Sequence, residues 1–292
     1  MTPSVLSIGE ILWDIFPTAK HLGGAPVNFA YHARQLGLDA KPVSRIGRDS
    51  LGSELLEILK TKNIPTDFIQ LDPVHPTGTV EVRMTGSDHQ FIIHENVAWD
   101  FIQTTPEILN AAKSAHAVCF GSLAQRTPTS RATIQTIVKA CPGLKICDIN
   151  LRQQFFTPEI LETSLRLTNV LKLNIDELFV LKDIFALGGT LPADLCQNLI
   201  TRFNLSFICA TRGPDGALLV TKNQIVDQPG KQVNVVDTVG CGDAFCAALV
   251  HGLLTEKPLE HIAQNANEIG TFVATCPGAT PDWPQTLKSS LL

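Results

Sequence analysis

With 292 residues, 44% of them hydrophobic, the chain can bury a large core as one sizeable unit. A formal net charge of −5, with Lys and Arg scattered, excludes the electrostatic footprint of a nucleic-acid or membrane-surface binder. No apolar run approaches the ~20 residues of a membrane span, and the opening Met-Thr-Pro-Ser-Val-Leu lacks the charged head and apolar stretch of a signal peptide. A cytoplasmic location is therefore expected.

Short apolar runs alternate with helical patterns along the chain. Val5–Ile8 reads as a buried strand, followed by Gly9-Glu-Ile-Leu-Trp-Asp14. Asp14, just past that strand, suits either a turn or the binding of sugar hydroxyls. Gly23-Gly-Ala-Pro-Val-Asn28 places a glycine pair before a Pro-initiated helix, Val27–Leu36, which ends near Gly37. Such a pair lets backbone approach a ligand, and Asn28 would project from the first turn toward the same space. Pro42–Ile46 is the next strand and Leu51–Lys60 the next helix.

From Phe68 to Ile93 the rhythm breaks into short strands, Thr79–Arg83 and Gln90–Ile93, around the turn signal Gly86-Ser-Asp88. This predicts an antiparallel hairpin, joined by the stretch Ile11–Leu22, standing off the main sheet as a lid. The alternation then resumes. Helices are predicted at Pro106–Lys113, Arg131–Ala140, Pro158–Leu165, Ile175–Phe185 and Pro192–Phe203. Strands are predicted at Ala117–Phe120, Lys145–Ile149, Val170–Leu173 and Phe207–Ala210. A hairpin over Gly216–Gln228 turns at Lys222-Asn223, and the β-branched run Val233–Val236 leads toward a buried helix, Phe245–Leu254. Strand–helix alternation on this scale predicts an α/β fold with a mostly parallel sheet covered on both faces. Ligands then sit beyond the carboxyl ends of the strands.

Most of the notable polar residues fall at those ends. Asp148-Ile-Asn-Leu-Arg152 alternates polar and apolar, which on an extended strand puts Asp148, Asn150 and Arg152 on one face. Either an Asp–Arg pair satisfies itself there, or Arg152 holds a phosphate or substrate oxygen. Asn174-Ile-Asp-Glu177 has the spacing of a capping box, and equally of a carboxylate organising Mg²⁺ on nucleotide phosphates. Thr211-Arg-Gly213 could approach phosphates, while Pro214-Asp-Gly216 is a turn signal.

The eight cysteines lie mostly inside apolar runs, without Cys-x-x-Cys or zinc spacing, so reduced buried thiols are expected. Cys241 is the exception in position. A helix N-terminus lowers a thiol's pKa, but no His lies near it in sequence, and a small residue filling a turn is the better reading.

The segment Asp237-Thr-Val-Gly-Cys-Gly-Asp243 is the most informative. Gly240 and Gly242 bracket a turn at a helix N-terminus, where unpaired N–H groups and the macrodipole favour an anion. A carboxylate at Asp243 would repel a resting anion. It makes sense as a base that takes the proton of a hydroxyl about to attack a phosphoryl group.

In this order the pieces resemble the PfkB (ribokinase-like) carbohydrate kinases over essentially the whole chain. The resemblance rests on the segment Gly23–Gly37, continuing through Ile46-Gly-Arg-Asp49 and Gly52, and on the Asp-Thr-x-Gly-x-Gly-Asp segment. Asp148-x-Asn150-x-Arg152, Asn174-x-x-Glu177 and Thr211-x-Gly213 add to it. It implies one αβα sandwich domain over 1–292, with a β-lid from segments around 11–22 and 68–100, binding ATP and a sugar side by side.

By the resemblance Asp243 is the catalytic base, and the backbone N–H groups of Gly240, Cys241, Gly242 and Asp243 form the anion hole. Asp14, Gly23, Gly24, Asn28 and Arg152 bind the sugar. Asn174, Glu177, Thr211 and Gly213 serve ATP and Mg²⁺, and the residues around Asn267 approach adenine. Some relatives bind K⁺ beside the hole, for which Asp237, Val239 and Gly278 are the matching positions. The chain departs from the family pattern at Val239 and Cys241, both places where backbone acts.

Ile8–Pro17, Leu22–Asn28 and Glu95-Asn-Val-Ala-Trp-Asp100 look most like the fructokinase branch. D-Fructose is thus the expected sugar, with 2-keto-3-deoxygluconate kinase, ribokinase and nucleoside kinase as rivals. A non-enzymatic sugar sensor would not need Asp243, and a dinucleotide-dependent oxidoreductase would need more glycines after the first strand. The expected partners are small molecules, with pairing of two lids into a homodimer as in many relatives.

Overall fold

A computed structural model, which describes residues 2–85 and 88–291, builds two sheets. The strands are β1 (Ser4–Ile8), β2 (Leu12–Ile15), β3 (Lys20–Gly23), β4 (Asp39–Gly47), β5 (Ile69–Asp72), β6 (Gly78–Thr85), β7 (Asp88–Ile93), β8 (Ala117–Phe120), β9 (Leu144–Asp148), β10 (Val170–Asn174), β11 (Phe207–Thr211), β12 (Ala217–Thr221) and β13 (Ile225–Gln228). The helices are α1 (Ala25–Gln35), α2 (Ser50–Thr61), α3 (Pro106–Ser114), α4 (Pro128–Ala140), α5 (Pro158–Leu167), α6 (Ile175–Ile184), α7 (Pro192–Phe203), α8 (Cys241–Leu254), α9 (Leu259–Ala274) and α10 (Gln285–Leu291).

The main sheet has nine strands in the order β13-β12-β11-β10-β9-β8-β1-β4-β5. It is parallel from β11 to β5, and the hairpin β12–β13 adds an antiparallel edge. The central strands are largely apolar and buried because helices cover both faces. One face packs against α3 to α7 through residues such as Ile134, Leu161 and Leu199. The other packs against α1, α8 and α9 through Phe29, Phe245 and Ile269. From β1 the chain moves to β4 on one side, while β8 onward lies on the other. The connections after β1 and β8 therefore diverge, which opens a crevice at their carboxyl ends.

The lid is a second, four-stranded sheet in the order β3-β2-β6-β7. Its β6–β7 pair is antiparallel, as the alternation predicts, and β2–β3 joins it through a parallel β2–β6 pairing. The turn expected at Gly86-Ser-Asp88 falls at residues 86 and 87, which lie outside the described residues. Two corrections concern its limits. Ile69–Asp72 is not lid but the edge of the main sheet, paired with β4 and tied there by Arg45 Nε to Asp72 Oδ2 at 2.8 Å. Beyond Ile93, residues Ala98–Phe101 form a short 3₁₀ turn that sinks Trp99 into the body's core.

Helix α9 is the largest element that the sequence alternation leaves unassigned. Its apolar stripe (Ile262, Ala263, Ala266, Ile269, Val273) is buried against α8 and the sheet edge. Among the described residues no helix is long and apolar enough to cross a membrane. All eight cysteines are free, six of them buried.

Helix α1 also fixes the chain that follows α9. Tyr31 donates its hydroxyl to Asp282 Oδ1 at 2.6 Å. The buried ring of His32 bridges Ala279 and Trp283, with Nε2 2.8 Å from the Ala279 carbonyl oxygen and Nδ1 accepting the Trp283 indole N–H at 3.2 Å. Both contacts are made by the neutral ring protonated on Nε2, and burial pushes the imidazole down to about 4. The unfolded chain binds this proton near pH 6.5. His32 thus contributes stability fully above that pH and loses it as pH falls toward 4, up to about 3 kcal/mol. His32→Gln should be less stable than the parent at about pH 7, and the gap should narrow as pH falls to about 5. Thermal unfolding across that range checks it; a gap that stays constant means the ring is not held neutral.

Candidate active site

The crevice at the β1/β8 switch is a partly open cleft. Its walls come from the carboxyl ends of β1 (Glu10), β8 (Gly121, Ser122) and β9 (Asp148, Asn150), with Asp243 from the opposing helix α8. A single cleft therefore gathers residues that are more than 200 positions apart in the sequence.

Gly240 caps α8 with φ +78°, a conformation that L side chains avoid. A Cβ there would also lie 2.6 Å from the Ala279 carbonyl oxygen. No side chain caps this end, and the Cys241 N–H bonds the Thr238 carbonyl oxygen at 3.3 Å, so the Gly242 and Asp243 N–H groups are the ones left for an external acceptor. Cys241 contributes backbone only. Its thiol is pushed up to about 11, by burial first and then by Asp237 and Asp243, which outweighs any help from the helix N-terminus.

Asp243 sits on that same turn. Its Oδ2 accepts a hydrogen bond from Asn28 Nδ2 at 2.8 Å. The residue keeps partial exposure along the cleft, while its carboxyl is pushed up to about 7. Burial is the main cause and the Asp148 charge adds to it. The Asn28 bond and the Lys172 charge act in the opposite direction. Asn28 is itself buried, and its Oδ1 has no partner among the described residues. A carboxylate and an orphan amide oxygen side by side make a receptor for a hydroxyl group.

The Gly23–Gly24 pair lies at the foot of the lid. A Cβ on Gly23 would strike Asp14 Oδ2 at 2.5 Å, and one on Gly24 the Glu10 carbonyl oxygen at 2.5 Å. Asp14 faces His21 across β2–β3, and burial pushes its carboxyl up to about 6. Arg152 is exposed and its charge lowers both Asp14 and Glu10.

The shared face expected for Asp148, Asn150 and Arg152 does not form. β9 ends at Asp148, and Asn150 turns to φ 42°, so the strand alternation stops there. Asp148 is buried and pairs not with Arg152 but with Lys172 of β10, whose Nζ lies 3.0 and 2.9 Å from its two oxygens.

Further along the sheet edge stand the residues expected on the nucleotide side. Asn174 and Glu177 form the capping box of α6, each side chain bonding the other's N–H at 2.8 Å. Glu177 Oε1 also accepts the Leu151 N–H at 2.8 Å, which ties β10 to the segment after β9. Thr211 ends β11 with its hydroxyl 3.3 Å from the Leu173 carbonyl oxygen, and Gly213 opens the following turn with φ +56°. Asn267 of α9 donates to the Pro229 carbonyl oxygen at 3.1 Å. Asp237 gathers the three cation candidates around one carboxylate, since Oδ1 accepts the Val239 N–H and Oδ2 the Gly278 N–H, each at 3.0 Å.

Two charged residues at or behind the cleft have no role in the sequence reading, Glu10 in its wall and Lys172 beneath Asp148. Glu10 is buried against α1, its Oε1 accepting the Ala25 N–H at 3.3 Å, and burial raises its pKa. A lysine in the middle of the apolar run Val-Leu-Lys-Leu was the available signal for Lys172. For Glu10 the signal was a charge directly after a buried strand.

The pfkB family carbohydrate kinase model matches residues 13–286. A sugar kinase from Pyrococcus horikoshii is 30% identical, covering 99% of this chain and 94% of its own. Its crystal structure in complex with ATP superposes with a TM-score of 0.84 at 28% identity, over 99% of this chain and 100% of that one. A fructokinase from Escherichia coli is 26% identical over 99% of both chains. A fructokinase double mutant from Vibrio cholerae, in its fructose-, ADP- and potassium-bound form, shares the fold with a TM-score of 0.83 at 24% identity, covering 100% of this chain and 98% of that one. The chain therefore belongs to the pfkB family of carbohydrate kinases, phosphotransferases that act on a sugar hydroxyl.

Proposed function

We propose that this kinase transfers the γ-phosphoryl of ATP to a primary hydroxyl of D-fructose, with Asp243 as the base. The observation that carries the mechanism is the pairing of Asp243 with Asn28 on the open N-terminal turn of α8. The sugar hydroxyl would lie against the Asp243 carboxylate and the free Asn28 oxygen. Asp243 accepts its proton as the oxygen attacks, and the N–H groups of Gly240 to Asp243 receive the charge on the phosphoryl oxygens. Asp14, the Gly23–Gly24 backbone and Arg152 hold the rest of the sugar under the lid. Asn174, Thr211, Gly213 and Asn267 line the nucleotide side.

The donor chemistry fits the ions that such a reaction uses. Glu177 would hold a phosphate-bound Mg²⁺ through water, and the ion would supply charge neutralisation there. Asp237, Val239 and Gly278 would be the residues to hold K⁺, with the Asp237 carboxylate as a hard oxygen donor.

The charge of the cleft favours a neutral sugar over a keto acid. Glu10, Asp148 and Asp243 line it, Asp148 is paired with Lys172, and Arg152 is the exposed cation near Glu10 and Asp14. A substrate carboxylate would meet Glu10 and Asp243. The similarity to fructokinases from several sources supports the same choice.

Coupled ADP release should show selective turnover of fructose over ribose, 2-keto-3-deoxygluconate, glucose and adenosine. Stronger turnover of the keto acid would overturn the charge argument and leave the kinase chemistry intact. Asp14→Asn should raise the sugar KM about tenfold or more with the ATP KM nearly unchanged; equal effects would remove Asp14 from the sugar site.

Asp243 works only when deprotonated, and its carboxyl titrates at about 7. The acid limb of kcat/KM should therefore rise through that region and level off above it. Asp243→Asn should keep sugar binding but lose on the order of 10³-fold or more in kcat. Near-parent turnover would refute the base assignment.

A further inference from the structure

The middle of β10 carries a charge that packing does not require. Lys172 lies between Leu171 and Leu173 in a strand flanked by β9 and β11, and it is 7% exposed. Its ammonium is clamped by both oxygens of Asp148, and the charges on Asp148 and Asp243 raise its pKa against the cost of burial. Buried ion pairs are weak contributors to stability, because apolar residues of similar volume do as well or better. Cys147, Cys209 and Cys246, all nearby in the core, show that this region accepts small apolar groups.

What the ammonium reaches is the base of α8. A Cβ on Gly242 would stand 3.0 Å from Lys172 Nζ. The second glycine of the turn thus gives room to a cation beneath the anion hole, whereas Gly240 is fixed by its left-handed backbone. Asp243, one residue on, is faced by Asn28 from α1, Glu10 from the β1 end, Asp148 from β9 and Lys172 from β10. Only Lys172 among these is a cation.

We propose that Lys172, held by Asp148, is a positioning residue that offsets the Asp148 charge at Asp243 and sets its ammonium beside the Gly242 backbone, so that Asp243 can stay anionic beside an incoming phosphoryl group. This rests on Asp243 being the base. The ion pair does not touch the substrate; it acts through Asp243 and through the N–H groups of Gly242 and its neighbours. The low-dielectric surroundings make such a charge effective at short range.

The test uses the full-length enzyme and reads kcat, both KM values and the pH profile. Lys172→Met removes the cation and leaves Asp148 uncompensated, and both changes disfavour the Asp243 anion. The acid limb of kcat/KM should move to higher pH by about one unit or more, and kcat should fall about tenfold or more at its plateau. The KM values for ATP and sugar should stay within about threefold. A folded Lys172→Met with an unmoved acid limb overturns the proposal.

The variant Asp148→Asn/Lys172→Met removes the pair without an orphan charge and keeps the test alive if the single variant does not fold. It should keep the parent's acid limb within about half a unit but still lose plateau kcat about tenfold. Parent-like kcat in it overturns the proposal. Asp243→Asn, measured alongside, separates the two readings. If it retains turnover, the base assignment fails; if it is inactive while Lys172→Met behaves as the parent, only the role of Lys172 fails.

Discussion

A kinase of this design must bring an anion to a place where it also keeps a carboxylate. In the proposed mechanism the first turn of α8 does both, offering its N–H groups to the phosphoryl oxygens while carrying Asp243 within the same turn. Left alone, the two negative charges would oppose each other in a partly desolvated cleft. The rest of the site is arranged around that conflict. Burial and Asp148 raise the Asp243 carboxyl to about 7, which weakens its repulsion for phosphate and leaves it a base of useful strength. The Asn28 bond and the Lys172 ammonium keep the anion accessible. Pushed further up, Asp243 would stay protonated; fully ionised at low pH, it would be a poor acceptor for a hydroxyl proton.

The sheet topology explains why these groups meet. Strand order reverses between β8 and β1, so the chain leaving β1 carries Glu10 toward the lid while the chain leaving β8 carries Gly121 and Ser122 the other way. The opening that results is a property of the connections and needs no special residues. Sequence-specific chemistry is then laid on its rim, with the lid strands β2 and β3 inserted between β1 and α1. Asp14 and the glycine pair are thereby placed over the opening by the same segment that closes it.

This division also sets what was legible in the sequence. Strands such as β8 and β11 are apolar throughout and separated by helix-length segments, so their existence and parallel pairing follow from pattern alone. The turn at Gly240 and the helix start after it were legible because paired glycines mark a turn and the apolar stretch that follows marks a buried helix. Asp148 was misassigned because strand alternation was carried past the strand's end, where Asn150 adopts a left-handed backbone. Its true partner, Lys172, lies on the adjacent strand 24 residues away, a spacing no local rule connects. The edge strand β5 was likewise grouped with the lid, since four residues hold too little pattern to show which sheet they join.

Helix α1 links the sugar side of the cleft to its phosphate side. Asn28 on its first turn holds Asp243, and one turn later Tyr31 and His32 hold Asp282, Ala279 and, through its indole, Trp283. Ala279 in turn packs where any side chain on Gly240 would have to go. The same rigid helix therefore fixes the base from one side and the back of the anion cradle from the other. An independent shift of the cradle's back wall would break the two buried His32 bonds, at a cost of about 1–3 kcal/mol each. With Asn28 and the Gly24 that caps α1 holding the sugar as proposed, any movement of α1 that accommodates a different sugar would carry the cradle with it. Selectivity and phosphoryl transfer would in this way be mechanically coupled, with Tyr31 and His32 as positioning residues.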